Sequence, residues 1–516
     1  MTEAADPPLT GAPWLRLDKR MLLVHPVTEL VKFIPVLIGT VLLGTSSGNH
    51  LWSLIPLALI VLFALTRWFT TSYRVGPTHV ELRTGLIQRN KLSVPRSRIR
   101  SVDIEADLLR RALGLAVVVI GTGKTADRED KFKLDALDAR VVPGLRAELL
   151  AHTAESAAAQ SISEEITAKP ARPEREIGHW QPIWARYAPL SLTGFAVVAP
   201  LVGFAFQYGL GGVLFESRAA QNIENGSVAV IVLAALALVA AIVLVVSLAA
   251  CTRYLATYHD LKVLDDGRTL HLRHGLFTTR QITMDLARFR GATVKEPLLL
   301  RLAGAAELEA IMVGEKPKLT LLPQAPRAAV ERTLAELLGP RQGAADSGST
   351  VQGSAPLTPH GPVARRRRHT RALTPAVLIT LALYLIHLGG TELSLWWLLL
   401  PLGVALLGAA LAEDRYRGLG HTVIPATSTS PAWLITRSGS LDRARDCLEA
   451  PGVIGWTVRQ SFWQRRSGVA TVIAATAAGR KRYLVIDIPL DEAWPLIEAV
   501  TPGRLGDRGA AGVAAE

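Results

Sequence analysis

Six apolar segments, which fall into three pairs, constrain this chain more than any other feature. They lie at about 30–47 and 50–66, at 188–214 and 228–250, and at 373–389 and 394–412. A helix needs about 20 apolar residues to cross a hydrocarbon core of roughly 30 Å, and each segment is at or near that length. The sequence therefore predicts six transmembrane helices arranged as three hairpins.

The segments differ in how strongly they indicate a span. The segment at 228–250 contains no charged residue, whereas Lys32, Pro35 and Pro56 interrupt the first pair. Proline is tolerated in membrane helices. A buried hairpin in a soluble core is the alternative for the short last pair. A cleaved signal peptide at 16–40 is the alternative for the first segment, but Glu29 and Lys32 lie within that stretch and a second span follows at once, which favours a retained anchor.

Basic residues flank the outer ends of the three pairs, as in RRRRHTR at 365–371, and are nearly absent from turns such as TSSGNH and GGTEL. The positive-inside rule therefore predicts that both termini and every large segment are cytoplasmic. The formal net charge is +13. For a membrane-tethered chain this charge favours anionic lipid headgroups as partners over nucleic acid, the other usual partner of basic proteins.

The segment that follows each hairpin repeats along the chain with shifts of 190 and 354 residues and no gap. These shifts align two sets of glycines: Gly85, Gly275 and Gly439, and Gly114, Gly304 and Gly468. Within a unit, short segments rich in β-branched residues surround glycine turns and precede one amphipathic run. The sequence thus predicts a hairpin followed by a β-rich domain with a C-terminal helix, repeated three times.

This organisation predicts the following boundaries. They are a cytoplasmic N-terminal segment at 1–27, hairpins at 28–68, 186–251 and 372–412, domains at 69–160, 252–340 and 413–505, linkers at 161–185 and 341–371, and a tail at 506–516.

Motifs in the first unit resemble those of a known family. They are Arg98-Ile99-Arg100-Ser101-Val102-Asp103, Leu108-Leu109-Arg110-Arg111 and Leu113-Gly114-Leu115, together with His25-Pro26 ahead of the first hairpin. With these motifs the chain is similar to bacterial pleckstrin-homology-like (PH-like) membrane proteins of the multi-pass type. The resemblance is closest in the first unit and most distant in the third, where Ala450, Gly452 and Ile454 replace the arginines.

The resemblance implies an α+β membrane protein. Each cytoplasmic domain would be a bent antiparallel sandwich or barrel capped by its C-terminal helix. The resemblance carries no catalytic residue and no cofactor. It also implies a smaller PH-like membrane protein as a partner and a role in envelope homeostasis or defence.

Arginines are the candidate binding residues. Arg96, Arg98 and Arg100 alternate in a segment that resembles a strand, so we expect them on one face. The planar guanidinium suits bidentate contact with phosphate. A solvated strand face is the alternative for this row, and enforcement of topology is the alternative for 365–368. The predicted contacts with anionic headgroups or phosphates are Arg96, Arg98, Arg100, Arg110, Arg111, Arg288, Arg290, Arg301, Arg365, Arg366, Arg367 and Arg368.

Other motifs indicate no chemistry. G-x-S-x-G at 44–48 lies between two spans, GTGKT at 121–125 lacks the first glycine of a P-loop, and Cys251 and Cys447 have no metal spacing. A transporter or channel-associated subunit is the alternative function, but apart from Lys32 and His387 the spans hold almost no ionisable residue. The sequence predicts a non-enzymatic membrane scaffold or sensor that binds protein partners, anionic lipid or both.

Overall fold

A computed structural model describes the main part of the chain. It covers residues 13–24, 27, 62, 69–85, 90–96, 99, 101–121, 132–146, 148–149, 175–191, 199–200, 203, 207, 228–314, 319–339, 353–390, 394–428 and 430–503. Of the predicted spans, 30–47, nearly all of 50–66 and most of 188–214 therefore lie outside the described residues, as do Arg98 and Arg100.

The strands of the described residues fall in three successive groups. The first group is β1 (Leu15–Arg16), β2 (Ser72–Val75), β3 (His79–Thr84), β4 (Asn90–Pro95), β5 (Ser101–Asp107), β6 (Leu115–Gly121) and β7 (Phe132–Asp138). The second is β8 (Arg175–His179), β9 (Lys262–Asp265), β10 (Thr269–His274), β11 (Thr278–Asp285), β12 (Phe289–Pro297), β13 (Ala305–Met312) and β14 (Leu319–Pro326). The third is β15 (Gly420–Ile424), β16 (Trp433–Ser438), β17 (Asp442–Glu449), β18 (Gly455–Arg459), β19 (Val469–Ala475) and β20 (Arg482–Pro489).

The helices of the described residues are of three kinds. Short helices are α1 (Leu108–Ala112), α3 (Leu298–Leu302) and α7 (Phe462–Arg466), and domain-closing helices are α4 (Arg327–Leu338) and α8 (Leu490–Val500). Long apolar helices are α2 (Val228–Tyr258), α5 (Gly361–Leu388) and α6 (Leu399–Arg417). The helix expected after β7 has helical backbone at 142–146 and 148–149.

The aligned glycines adopt the same backbone conformation in each repeat. Gly85, Gly275 and Gly439 have φ of 111°, 117° and 101°, and Gly114, Gly304 and Gly468 have φ of 68°, 68° and 66°. These values favour glycine because other residues place a Cβ against the backbone. At Gly275 a Cβ would lie 2.0 Å from the carbonyl oxygen of Thr278. The helices α1, α3 and α7 also lie at the two shifts, which supports the threefold repeat.

Each repeat contributes two small antiparallel sheets. The first sheet contains β2–β4, β9–β11 or β15–β17, and the second contains β5–β7, β12–β14 or β18–β20. The sheets enclose apolar cores, such as the one around Val80, Ile99 and Phe132 in the first repeat. The third repeat has a core around Val485 and Ile497. The predicted α+β class is confirmed.

The second sheet of one repeat continues into the first sheet of the next repeat. Strand β5 pairs with β11, and β12 pairs with β17. The chain accordingly forms two compact units that do not coincide with the repeats. One unit comprises 1–175 and 260–285, and the other comprises 176–259 and 286–516. The second repeat contributes strands to both units.

Three described helices are long and apolar enough to cross a membrane: Val232–Tyr258, Gly361–Leu388 and Trp396–Arg417. They correspond to three of the six predicted spans. The helices α5 and α6 pack side by side, and Gly408 allows the approach because a Cβ there would lie 2.7 Å from the carbonyl oxygen of Ala372. Small residues allow this closeness between membrane helices.

Candidate functional site

Arg96 lies just beyond the end of β4, so the expected alternation along one strand does not extend to it, whereas Arg98 and Arg100 lie outside the described residues and their place in a row stays a prediction. Strand β4 ends at Pro95 and β5 begins at Ser101. A turn joins them, in which the amide of Ile99 donates to the carbonyl of Arg96 at 3.0 Å. Arg96 is only 4% exposed and donates to Glu148. The buried Ile99 side chain and this ion pair hold the turn against the core, where alternation along a strand no longer applies.

The corresponding residues of the second repeat are also engaged within the protein. Arg288 ends a short 3-10 helix at Leu286–Arg288 and is half-buried. Arg290 lies in β12, and its Nη1 donates to Glu449 at 2.8 Å. Neither arginine belongs to an exposed row, and their contact with lipid stays a prediction.

The arginines of the short helices hold neighbouring elements together. Arg110 pairs with Asp107, which also caps α1 by accepting from the Arg110 amide at 2.7 Å. Arg111 donates to Thr279 Oγ1 at 3.1 Å, and Arg301 donates to Asp414 at 2.9 Å. The contacts of Arg111 and Arg301 link α1 and α3 to the repeat that follows each of them.

The four arginines at 365–368 point in different directions because they lie in the helix α5. Arg365 pairs with Glu413 of α6 at 2.9 Å. Arg367 and Arg368 are buried and share Asp487 of β20, at 3.3 and 3.0 Å. Arg366 is exposed and forms no ion pair with a described residue.

Arg366 and Arg367 line a pocket of about 640 Å³ between α5 and α7, which we call the basic pocket. Its lining residues are Arg366, Arg367, Thr370, Arg371 and Thr374 of α5, and Trp463, Arg466 and the following Ser467 at α7. Four arginines, three hydroxyl-bearing residues and one tryptophan thus line one cavity. No carboxylate of a described residue lines it.

The α5 side of the basic pocket follows from helical spacing. Arg367, Arg371 and Thr374 recur at intervals of four and three residues, as do Arg366 and Thr370 at four. Such intervals place side chains on one face of a helix. The basic run at 365–371 therefore contributes Arg366, Arg367 and Arg371 to the pocket, and the first two of these were predicted contacts.

The α7 side is positioned by a capping box. The amide of Ser461 donates to Gln464 Oε1 at 2.9 Å, and Ser461 Oγ accepts from the Gln464 amide at 3.4 Å. Gln464 is itself buried and donates to Asp487 at 2.8 Å. This anchor turns the opposite face of α7 outward, where Trp463 is 67% exposed and Arg466 is exposed.

The charges at the basic pocket do not cancel. One buried carboxylate, Asp487, faces both Arg367 and Arg368. The Nη2 atom of Arg367 is buried and has no hydrogen-bond partner among the described residues. A buried donor without an acceptor is unfavourable by about 1–3 kcal/mol, more for a charged group. Arg367 therefore keeps an unsatisfied donor beside the pocket that it lines.

An apolar groove of about 720 Å³ adjoins the basic pocket on α5. It is lined by Leu373, Ala376, Val377, Thr380, Leu381 and Tyr384 of α5, Leu398 at the start of α6, and Pro401, Leu402 and Ala405 of α6. From Thr370 and Thr374 in the pocket, intervals of three and four lead to Val377, Leu381 and Tyr384 in the groove. One face of α5 thus runs from the basic pocket along the groove.

Sequence reasoning missed Arg371, Trp463 and Arg466 as site residues. Arg371 lies in the same basic run as Arg367, and helical spacing was the signal that could have found it. Arg466 stands two residues before the aligned Gly468, next to the position equivalent to Arg111. Its distance of 95 residues from Arg371 leaves no local signal that the two meet.

Metal binding receives no support from the described part of the chain, where no group of three or more His, Cys, Asp or Glu side chains could hold an ion.

Comparison with known proteins identifies the repeated unit. A family model described as the bacterial PH domain matches residues 28–153 and again residues 211–338. No curated protein and no solved structure matches the chain. The two matched ranges fall in the first and second repeats, and each includes part of a predicted hairpin and the sheets that follow it. The chain is therefore a repeated-unit protein that contains bacterial PH domains.

Proposed function

We propose that the chain is a non-enzymatic membrane scaffold or sensor that holds an anionic phospholipid at its third repeat. The headgroup phosphate occupies the basic pocket, and one acyl chain follows the apolar groove. The observation that carries this proposal is the continuity of the two cavities along a membrane-length helix. Guanidinium groups are suited to phosphate because they offer paired donors in a plane.

The length of the groove fits one leaflet. Thr374 and Tyr384 are ten residues apart, which is about 15 Å along an α-helix. A leaflet contributes about half of a hydrocarbon core of roughly 30 Å. A headgroup held at Arg371 and Thr374 would therefore leave an acyl chain alongside Val377, Leu381 and Tyr384. The exposed indole of Trp463 suits the interface between headgroups and hydrocarbon.

The proposed topology places the basic pocket on the cytoplasmic side of a bacterial inner membrane. Arginines lie at the start of α5 and the end of α6, whereas the intervening turn at 389–393 has none. This asymmetry supports cytoplasmic domains and termini, with six spans in three hairpins. The inner leaflet then supplies the lipid.

The PH-like domains supply the protein-binding part of the proposed role. Their sheets present edges and short helices to the cytoplasm, and a smaller PH-like membrane protein remains the partner expected from the family resemblance. A role in envelope homeostasis or defence is part of the same proposal.

Lipid retention by the full-length chain tests the site. The protein is reconstituted in nanodiscs of phosphatidylcholine with a minor fraction of phosphatidylglycerol, and the lipids that remain bound after detergent extraction are counted by native mass spectrometry. We expect preferential retention of phosphatidylglycerol. A variant with Arg366→Gln, Arg371→Gln and Arg466→Gln should lose this preference, at about 1 kcal/mol or five-fold for each arginine.

The matched control replaces three exposed arginines elsewhere, Arg273→Gln, Arg332→Gln and Arg482→Gln. It has the same net charge as the pocket variant, so equal loss in both would indicate general electrostatic attraction and contradict the site. A Val377→Trp variant, which fills the groove and keeps every arginine, should also lower retention.

A further inference from the structure

The two junctions between successive repeats have the same register. At the first junction Thr278 lies opposite Asp107 and Gln281 lies opposite Ile104. The repeat shifts convert these pairs into Asp442 opposite Pro297 and Arg445 opposite Val294, and both are found at the second junction. The junction is thus a recurrent interface between two kinds of strand.

One strand of each kind has no neighbouring strand on one side among those that the structure describes. Strand β4 occupies the place of β11 and β17, and β18 occupies the place of β5 and β12. Among the described residues, β4 is the last strand of the sheet β1-β2-β3-β4, and β18 is the first strand of β18-β19-β20. Within the described part of the chain, both halves of the junction are therefore open edges.

The backbone of β4 is oriented for pairing. The amide of Arg96 donates to the carbonyl of Thr78 at 2.9 Å, so Val94 and Leu92 also direct their amides towards β3. Lys91 and Ser93 then direct their backbone groups away from β3. An edge of this kind is a template for another strand.

We propose that β4 of one copy pairs with β18 of a second copy of this chain, as β11 pairs with β5 and β17 with β12. The register of the internal junctions places Val94 opposite Gly455, Leu92 opposite Thr457 and Asn90 opposite Arg459. We choose a second copy as the partner because its β18 edge corresponds to β5 and β12, the strands that pair at the two junctions within the chain. The contact is head-to-tail, so copies form a ring or an open row.

The charges at these edges do not oppose the pairing. Lys91 is engaged with Glu81 of β3 at 2.8 Å. The internal junction between β12 and β17 forms although it contains Lys295 and Arg445. The positions of Leu92 and Thr457 correspond to Asp446 and Thr293, and there Thr293 Oγ1 donates to Asp446 at 2.6 Å. Side chains at this pair of positions therefore meet across the junction.

Disulfide cross-linking between two copies tests the pairing. One full-length copy carries Leu92→Cys and one tag, and the other carries Thr457→Cys and a second tag. Both are expressed in the same cells, and the membranes are treated with a mild oxidant. Leu92 and Thr457 would form a non-hydrogen-bonded pair with Cα atoms about 4.5 Å apart, which suits a disulfide. We expect a dimer that carries both tags.

Three comparisons make the result specific. Pairing Leu92→Cys with Arg459→Cys moves the second thiol by two residues on the same face, about 6.8 Å, and should cut the yield at least several-fold. Copies with only the natural cysteines, Cys251 and Cys447, should give no dimer; Cys447 is fully buried, and burial raises the pKa of its thiol to about 12. Adding Ser93→Pro, which removes an outward amide, should abolish the cross-link while the variant still reaches the membrane.

The proposal is overturned if no dimer with both tags forms. It is also overturned if the displaced pair links equally well, or if a chain with both cysteines links only within itself. Capture of a different PH-like protein at β18 in place of a second copy would equally overturn it.

Discussion

Asp487 organises the third repeat although none of its surface is exposed. It has a positive φ of 57°, it accepts from Gln464, and it faces the guanidinium groups of Arg367 and Arg368. A buried carboxylate is tolerated only with such partners. The same residue thus anchors α7, fixes the start of α5 and sets the charge of the basic pocket.

The variant Asp487→Asn should destabilise the chain strongly. Asparagine has the same shape and tolerates a positive φ, so the change isolates the loss of charge opposite two buried arginines. Breaking a buried ion pair costs about 3–5 kcal/mol. The midpoint of thermal unfolding in detergent should fall by several degrees, whereas the exposed Asp491→Asn should leave it nearly unchanged. An unchanged midpoint for Asp487→Asn would show that the arginines do not need the carboxylate.

Two buried histidines, His360 and His421, lie close to Asp487. His360 Nε2 and His421 Nδ1 are 2.8 Å apart, and His360 Nδ1 lies 2.7 Å from the carbonyl oxygen of Ile486. Burial lowers the pKa of both imidazoles, and together with the neighbouring His360 it lowers the pKa of His421 to about 4. For His360, Arg368 lowers the pKa and Asp487 raises it.

The stability of the third repeat should therefore fall in mild acid. The unfolded chain protonates His421 near pH 6.5, whereas the folded chain does so only near pH 4. Between these values the unfolded state binds more protons, so the free energy of unfolding decreases as pH falls, by about 3 kcal/mol in total. Unfolding in denaturant at pH 7, 5.5 and 4.5 measures this slope. The slope should be smaller in His421→Gln than in the unsubstituted chain, and equal slopes would contradict the assignment.

At the scale of elements, the first aligned glycine of each repeat makes the tight turn between two strands. These glycines are Gly85, Gly275 and Gly439. Gly439 has φ of 101°, and a Cβ there would lie 2.2 Å from the carbonyl oxygen of Asp442. A substitution must distort the hairpin that leads into β17, the strand that pairs with β12.

Gly439→Ala should lower the free energy of unfolding by about 1–3 kcal/mol, because alanine is strained at this φ and its Cβ meets a carbonyl. The matched change is Gly455→Ala in β18, where a Cβ would meet nothing within 4 Å. Chemical denaturation of both variants measures the difference. Equal effects would mean that the turn relaxes without strain.

These glycines also explain how far the sequence could be interpreted. Gly85, Gly275 and Gly439 are local requirements, so their spacing revealed the repeat and its strand order. The continuation of β5 into β11 could not be predicted, because an edge strand carries no local mark of its partner. Arg96 was misplaced because β4 ends at Pro95, one residue before it, whereas the alternation suggested that the strand continues. The partnership of Asp487 with Arg368 spans 119 residues and depends on the tertiary fold.

At the scale of the whole molecule, the number of spans is open to a direct measurement. Single cysteines at Ser47, Asn222 and Thr391 should react with a membrane-impermeant maleimide in intact cells, because six spans place these turns outside. Cysteines at Ala126 and Ser349 should react only after lysis. These five positions are assigned from the sequence and lie outside the described residues. Reaction of either inner position in intact cells would contradict the proposed topology.

The junctions also limit how such a gene can change length. Because β11 meets β5 in the same register in which β17 meets β12, deleting or duplicating one whole repeat would leave every remaining strand beside a suitable neighbour. An insertion of half a repeat would leave one sheet without the sheet of the neighbouring repeat that it normally pairs with. Evolution of this architecture should therefore proceed in whole repeats, and related genes should differ in length by steps of one hairpin with its two sheets.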